Sequence, residues 1–417
     1  MRIGNRRFYF SATLRLLKNK YFKKNNKIKE RKIRIAFIVQ ELAVFNKSQI
    51  LIDMLSTHKK FDVLLLCIPS NIENGKLVNN AYDINDTYEY CKLLGYTNLV
   101  NTLIGGKWIN IEKLEFDYIF YNRPYDKFYP NIYKSDNVSK FTKICMLPYA
   151  FALVENTIEI TTNNKFFRNV YFYFAESIET QLLNINRFWL THKIGVSKSV
   201  YLGMPSFEQF FKRDYSKKTN AWNFSKNKFR AIWTPRWTTD LKIGGSNFFE
   251  YCECFLKYAV KNPNIDFLLR PHPLMFKNFI AKQLMTIEDV AILENKIYNL
   301  KNFEIDREKE YNTTFYESDV LITDISSIIP EYLIVGKPVI LCKNNLNVEL
   351  VTAGKKMLEA CYCVNTFEQI IDVLEKLEKK EDPLKDKRER VIKELFGDNL
   401  NTVCSDICKA LIEDFEE

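Results

Sequence analysis

The chain has 417 residues, 47% hydrophobic and 14% aromatic, enough to bury two cores and unlike a fibrous or disordered composition. Its formal net charge of +10 is uneven: residues 1–34 hold 13 Lys and Arg against one Glu, leaving 48 basic and 50 acidic residues elsewhere. The body is thus close to neutral, and the basic segment also reads as a fraying tail or a nucleic-acid arm, but its interleaved aromatics favour lipid and no nucleic-acid partner is expected. Ten cysteines without a CxxC pair offer neither a zinc site nor a disulfide framework, which suits a reducing cytosol.

The basic arm is assigned to residues 1–32. Within it Phe10, Leu14, Leu17 and Tyr21 recur on one face among Arg15, Lys18, Lys20, Lys23 and Lys24. This is the pattern of a helix lying on an anionic bilayer, so residues 1–24 are expected to bind the inner face of the cell membrane peripherally. Arg15 interrupts the apolar run too early for a secretion signal or a spanning helix, and no later segment reaches a membrane-crossing length.

An N-terminal Rossmann-like lobe is assigned to 33–211. It opens with an apolar strand at Ile33–Val39, followed by a helix at Ser48–Ser56 and strands at Asp62–Ile68, Asp117–Tyr121, Thr142–Leu147 and Val170–Phe174. A polar, charged stretch marks a linker at 212–228. A second Rossmann-like lobe follows at 229–383, with strands at Phe229–Trp233, Ile265–Leu269 and Asp319–Ile322 and helices at Ser246–Lys261 and Phe367–Leu377. Continuous apolar strands separated by helical patterns indicate parallel sheets covered on both faces, hence an α/β fold. Helices at Leu384–Phe396 and Cys404–Phe415 close the chain in a C-terminal element, 384–417, that could pack back on the first lobe.

Each strand of the second lobe ends in a polar motif: Thr234-Pro235-Arg236-Trp237, Arg270-Pro271-His272-Pro273 and Thr323-Asp324-Ile325-Ser326-Ser327. In an open α/β sheet, ligands bind just beyond these strand ends, so the three motifs are expected to share one site. Ser326 and Ser327 open a helix running to about Val335, whose hydroxyls and first amides face an incoming anion, with Pro330 tolerated in the first turn. Arg270 and His272 add charge or donors opposite. A phosphate or diphosphate suits this set better than a neutral ligand. Taken singly, the same residues also read as an ordinary N-cap, a surface ion-pair partner and a strand terminator.

The run from Arg270 to Pro273, then Ser318 to Ser327, Glu331-Tyr332 and Gly336-Lys337-Pro338-Val339-Ile340, closely resembles the CDP-glycerol glycerophosphotransferase family of teichoic-acid and capsule polymer synthesis. Supporting stretches are Ile232 to Trp237, Ser246 to Tyr251 and Leu202 to Phe207; upstream, Asp117-Tyr118, Arg123-Pro124-Tyr125-Asp126 and Pro148-Tyr149 look like a capsule-associated branch. The resemblance implies a GT-B-type fold, two Rossmann-like lobes with a cleft between them, with the donor held by the C-terminal lobe. It implies that His272 and the Ser326–Ser327 turn hold the donor diphosphate and that Asp324 orients the turn. Glu331 would reach the ribose hydroxyls, Arg236 and Arg270 would neutralise charge, and Thr234 would contact substrate. The reaction implied is transfer of a phosphopolyol from a CDP-activated donor to a hydroxyl of a membrane-linked glycan, with release of CMP. No cofactor is expected, and no acidic cluster of metal-binding spacing is present, so no metal is expected either.

The chain departs from the family in one place. Members carry a His-Gly pair in the first lobe that looks like the general base, where this sequence reads Leu147-Pro148-Tyr149-Ala150. Tyr149 is assigned to substrate binding; His58 fits the surface and His192, near a strand start, either the cleft or the surface, so a carboxylate, Asp126 or Glu41, is the candidate proton acceptor, each equally readable as a loop surface charge. The same scaffold could instead transfer a sugar from a nucleotide sugar, or serve as a non-catalytic nucleotide-binding module docked to membranes.

Overall fold

A computed structural model describes residues 10–22, 31–73, 76–77, 85–162, 165–212, 220–224, 229–308, 310–343, 348–397 and 400–417. Most of the expected linker at 212–228 lies outside these residues, as do Lys23, Lys24 and the side chains of Lys20 and Tyr21. Two compact units are present, Met1–Phe151 with Ile158–Phe211 and Asn399–Glu417 in the first, and Ala152–Thr157 with Lys212–Asp398 in the second.

The first unit is built on β1 Ile33–Val39, β2 Phe61–Cys67, β3 Leu99–Asn101, β4 Tyr118–Tyr121, β5 Lys143–Met146, β6 Val170–Ala175 and β7 Lys198–Tyr201. They form one sheet in the order β7-β6-β5-β4-β1-β2-β3, with parallel pairing throughout. The continuous apolar run of β1 follows from this position. Ile35, Phe37 and Val39 pack into one core with Leu51 and Leu55, while Ala36 and Ile38 pack into another with Ile119 and Tyr121.

The second unit repeats the design with β8 Phe229–Thr234, β9 Ile265–Leu269, β10 Phe303–Ile305, β11 Val320–Thr323, β12 Val339–Cys342 and β13 Tyr362–Val364. The order is β10-β9-β8-β11-β12-β13, again parallel. Trp233 on β8, Phe248 and Phe255 on the helix Phe248–Lys261, and Phe267 on β9 fill its main core.

Three expectations are corrected. The helix expected from Ser48 begins at Leu42, because the chain turns directly out of β1 at Glu41 and Phe45 joins Leu51 and Leu55 in the core. The stretch 384–417 is divided between the units. Arg388 on the helix Lys385–Phe396 is 1% exposed, donates to the Gly336 carbonyl and pairs with Asp382, which fixes that helix to the second unit. The helix Val403–Glu416 belongs to the first unit, where Glu208 accepts from the Cys404 amide and Asp414 is buried. Finally, the apolar stripe of the helix Phe10–Phe22 is split. Ala12, Leu16 and, in part, Leu17 pack on the first unit, and Arg15 donates to Asn169, while Phe10 (65%) and Leu14 (48%) are exposed. No described helix is long and apolar enough to cross a membrane.

Candidate functional site

In the second unit β8 and β11 are neighbours, and the chain leaves β8 toward β9 on one side and β11 toward β12 on the other. Such a reversal opens a crevice beyond the carboxyl ends of the two strands. Thr234 ends β8 and Thr323 ends β11. The Thr323 hydroxyl donates to the Thr234 carbonyl at 3.1 Å and lies 3.3 Å from the Ser326 hydroxyl, tying the two strand ends to the serine turn.

Asp324 fastens this crevice. Only 2% exposed, it accepts from the Arg236 amide at 2.7 Å and from the Asn247 side-chain and backbone nitrogens at 2.5 and 3.3 Å. Burial among neutral donors pushes its carboxyl up to about 6, with these hydrogen bonds pulling the other way. The Arg236 guanidinium donates to the Ile325 carbonyl, and burial lowers its pKa from the ordinary arginine value. A β-carbon on Gly244, at φ +108°, would stand 2.3 Å from Ile325 Cγ2 and 3.5 Å from Arg236 Cζ, so only glycine lets this loop close over the arginine. Thr234 Oγ1 and Arg236 Nε are buried without a partner among the described residues.

His272 follows β9, its Nδ1 accepting from the Leu274 amide at 3.1 Å. The neutral ring therefore carries its proton on Nε2, as a donor. Although part of the ring is exposed, loss of water around it and repulsion from Arg236 hold its pKa at about 4. Trp237 lies beside it, 6.1 Å between ring centroids. Ser326 is half-buried and Ser327 exposed at the start of the helix Ile328–Ile334, and the Ser327 side chain caps no amide.

Arg270 and Glu331 form a separate, adjoining set. Arg270 pairs with buried Asp306, donates to the Glu308 carbonyl at 2.6 Å and lies over the Tyr311 ring, so its charge is largely compensated. Glu331 is 2% exposed and accepts from the Tyr311 hydroxyl. Asp306, Tyr311 and Asn247 were not identified as site residues from sequence. Asp306 follows a three-residue edge strand too short to show a period, whereas Asn247 adjoins the Gly244-Gly245 pair, a turn signal that could have marked it.

In the first unit, both Asp126 oxygens accept from Ser135, at 2.7 Å from its amide and 2.8 Å from its hydroxyl. Ser135 in turn accepts from Asn169, the residue that receives Arg15, so the carboxylate expected to be catalytic is engaged in supporting a turn. Tyr149 is half-buried and pairs with the Tyr125 phenol. Glu41 is 49% exposed and lies 3.9 Å from Arg123. Both ring nitrogens of His192 are occupied, by the Phe188 carbonyl and the Ser199 hydroxyl, and His58 Nδ1 accepts from the Lys60 amide.

Among solved structures, the chain is similar to the wall teichoic acid polymerase TagF soaked with CDPG, at 13% identity and TM-score 0.56, over 98% of this chain and 99% of that one. It is likewise similar to UDP-GlcNAc 2-epimerase from Neisseria meningitidis bound to UDP-GlcNAc, at 12% identity and TM-score 0.57 over 92% and 100% of the two chains. A further UDP-N-acetylglucosamine 2-epimerase aligns at 9% identity and TM-score 0.59, over 93% and 97%. These likenesses show the fold, GT-B-like with two Rossmann-type units. No curated protein sequence matches the chain. The model of the CDP-Glycerol:Poly(glycerophosphate) glycerophosphotransferase family matches residues 171–399, more than half of the 417 and every strand-end motif of the second unit. By that match the chain belongs to the CDP-glycerol glycerophosphotransferase family.

Proposed function

We propose that this transferase holds the diphosphate of CDP-glycerol, or of a related CDP-polyol, at the β8–β11 crevice. The supporting observation is the pair of buried, unpartnered groups, Thr234 Oγ1 and Arg236 Nε, beside the neutral His272 donor and the Ser326–Ser327 turn. The acceptor hydroxyl oxygen attacks the distal phosphorus; the bond from that phosphorus to the bridging oxygen breaks, and CMP leaves with the electron pair. Arg236 and the His272 Nε2–H offset the charge that moves to CMP. Asp324 positions Arg236 through its amide. Arg270 and Glu331 brace the crevice wall through Tyr311, and a ribose contact by Glu331 would require release of that bond. With Asp126 engaged by Ser135, Glu41 is the better supported proton acceptor, and Tyr149 lines the acceptor path.

The test supplies full-length protein with CDP-glycerol and a lipid-linked glycan acceptor, with UDP-sugars in parallel. Acceptor-dependent CMP release is expected, reduced about a hundredfold or more in His272→Ala. Sugar transfer with UDP release would establish the glycosyltransferase reading instead, and nucleotide affinity without turnover the binding-module reading.

The exposed Phe10 and Leu14, on a helix within a basic arm, support docking to the inner face of an anionic membrane. The double substitution Phe10→Asp, Leu14→Asp is expected to abolish sedimentation with phosphatidylglycerol vesicles. Unchanged sedimentation would reject this role.

A further inference from the structure

The loop that leaves β8 is fastened to the helix that follows His272. Trp237 is the residue after Arg236, and its carbonyl accepts at 2.9 Å from Nδ2 of Asn278, on the helix Met275–Ala281. The next residue, Thr238, is 2% exposed, and its hydroxyl oxygen accepts from the Asp240 amide at 3.2 Å and from Lys282 Nζ at 3.4 Å. Asn278 and Lys282, four apart and so on one side of the helical segment, thus hold two consecutive loop residues.

These ties decide what lies against the imidazole. The His272 backbone is set by the Met275 amide, which donates to its carbonyl at 2.8 Å, and the ring by the Leu274 amide on Nδ1. The Trp237 indole packs in part on the core of the second unit and stands 6.1 Å from the imidazole, with the two ring planes 37° apart. Asn278 holds the Trp237 carbonyl and Asp324 the Arg236 amide, so neither neighbour of the imidazole can leave without breaking a loop hydrogen bond. Among the described residues Arg236 is the charge that bears on the ring, while Asp324 is bound to the Arg236 amide and Lys282 to Thr238. An indole carries no charge and acts on its neighbour by displacing water, which is the larger cause of the ring's reluctance to take up a proton.

We infer that Trp237 is a positioning residue for the transfer, acting through His272: latched by Asn278, its indole walls the imidazole, keeping Nε2–H turned toward the donor diphosphate and screened from water. The inference rests on the donor reading above. A second cation beside Arg236 would hold the intact donor and the departing CMP alike, which lowers no barrier. A fixed, uncharged N–H instead supplies a donor where charge develops.

The test follows isotope-labelled histidine by NMR in the full-length protein. The chain has three histidines, so the His272 signal is assigned by its loss in His272→Gln. In Trp237→Ala the His272 midpoint is expected to rise from about 4 by about one pH unit or more, and in Asn278→Ala to rise by less, while Trp237→Phe keeps the wall and the original midpoint. CDP-glycerol affinity, read by calorimetry against pH, gives the second measurement. Both phosphates of that ligand are diesters and do not titrate in this range, so binding tightens as His272 gains its proton, and the rise is expected at correspondingly higher pH in Trp237→Ala. Asp324, at about 6, titrates in every variant, and the difference is expected to vanish when Trp237→Ala is combined with His272→Gln. A His272 midpoint unmoved in folded Trp237→Ala, or an affinity difference that survives loss of the histidine, overturns the inference. Should Trp237→Ala fail to fold, an unmoved midpoint in Asn278→Ala overturns it. Absence of CDP-glycerol binding by the unsubstituted protein would count against the donor assignment, with the ring titration still deciding whether Trp237 walls His272.

Discussion

The two units bury a carboxylate at opposite edges of their sheets, with opposite electrostatic consequences. In the first, Asp414 lies against residues at the amino-terminal ends of β4 to β7: it accepts from the Tyr118 and Tyr171 hydroxyls at 2.6 and 2.7 Å and pairs with Lys143 and Lys198, both at 2.7 Å. Burial raises its pKa, but the two lysines and the hydroxyl donors outweigh this and hold it at about 2. In the second, Asp324 lies beyond the carboxyl-terminal ends, surrounded by amides, and is pushed up to about 6. A carboxylate given two cations acts as a rivet for the fold. One held by amides, with a single arginine charge too weak to offset burial, stays electrostatically costly, which is tolerable where it orders a ligand-binding turn.

The contrast is broken most severely by Asp414→Ala, which strands two lysines and should lower unfolding stability by about 3–5 kcal/mol in denaturant melts. CDP-glycerol affinity of the remaining folded protein should be unchanged. Asp324→Ala should do the reverse. It is expected to cost about 2–3 kcal/mol from three unsatisfied donors yet reduce CMP release about a hundredfold, because the Arg236 amide loses its anchor.

Acid titration sharpens the comparison by sign. Asp414, at about 2 against the usual 3.8, contributes stability that is present above pH 3.8 and lost as pH falls toward 2, worth about 2 kcal/mol. Asp324, at about 6, retains a proton in the native state that the unfolded chain releases between pH 3.8 and 6, so its contribution declines as pH rises through that window. Asp414→Asn should flatten the first limb and Asp324→Asn the second, read as unfolding free energy against pH. The mildest test is spectroscopic: the His272 ring proton should titrate near pH 4 in the free protein, and saturating CDP-glycerol should raise that midpoint by supplying negative charge. A midpoint near 6.5 without ligand would mean that the imidazole is neither stripped of water nor repelled by the Arg236 charge.

Much of the β8–β11 crevice is legible in the amino-acid sequence, since its strands are apolar runs of four to six residues with a polar motif directly after each. Thr234, Arg236, His272, Asp324 and the serine pair all lie at those strand-end motifs. The partners of Asp126 are not legible in sequence because a loop carboxylate looks the same whether it faces a ligand or receives Ser135 from nine residues away.

Local sequence by itself determined where the long strands run, that both sheets are parallel and covered, and which segments meet at the strand ends, because burial on two faces forces an unbroken apolar run. Tertiary structure alone decided the three-residue edge strands, the division of the C-terminal helices and every carboxylate's partners. Those partners are reached only after crossovers of 88 residues for Asp324 and up to 296 for Asp414, and the charge state each adopts depends on what arrives there.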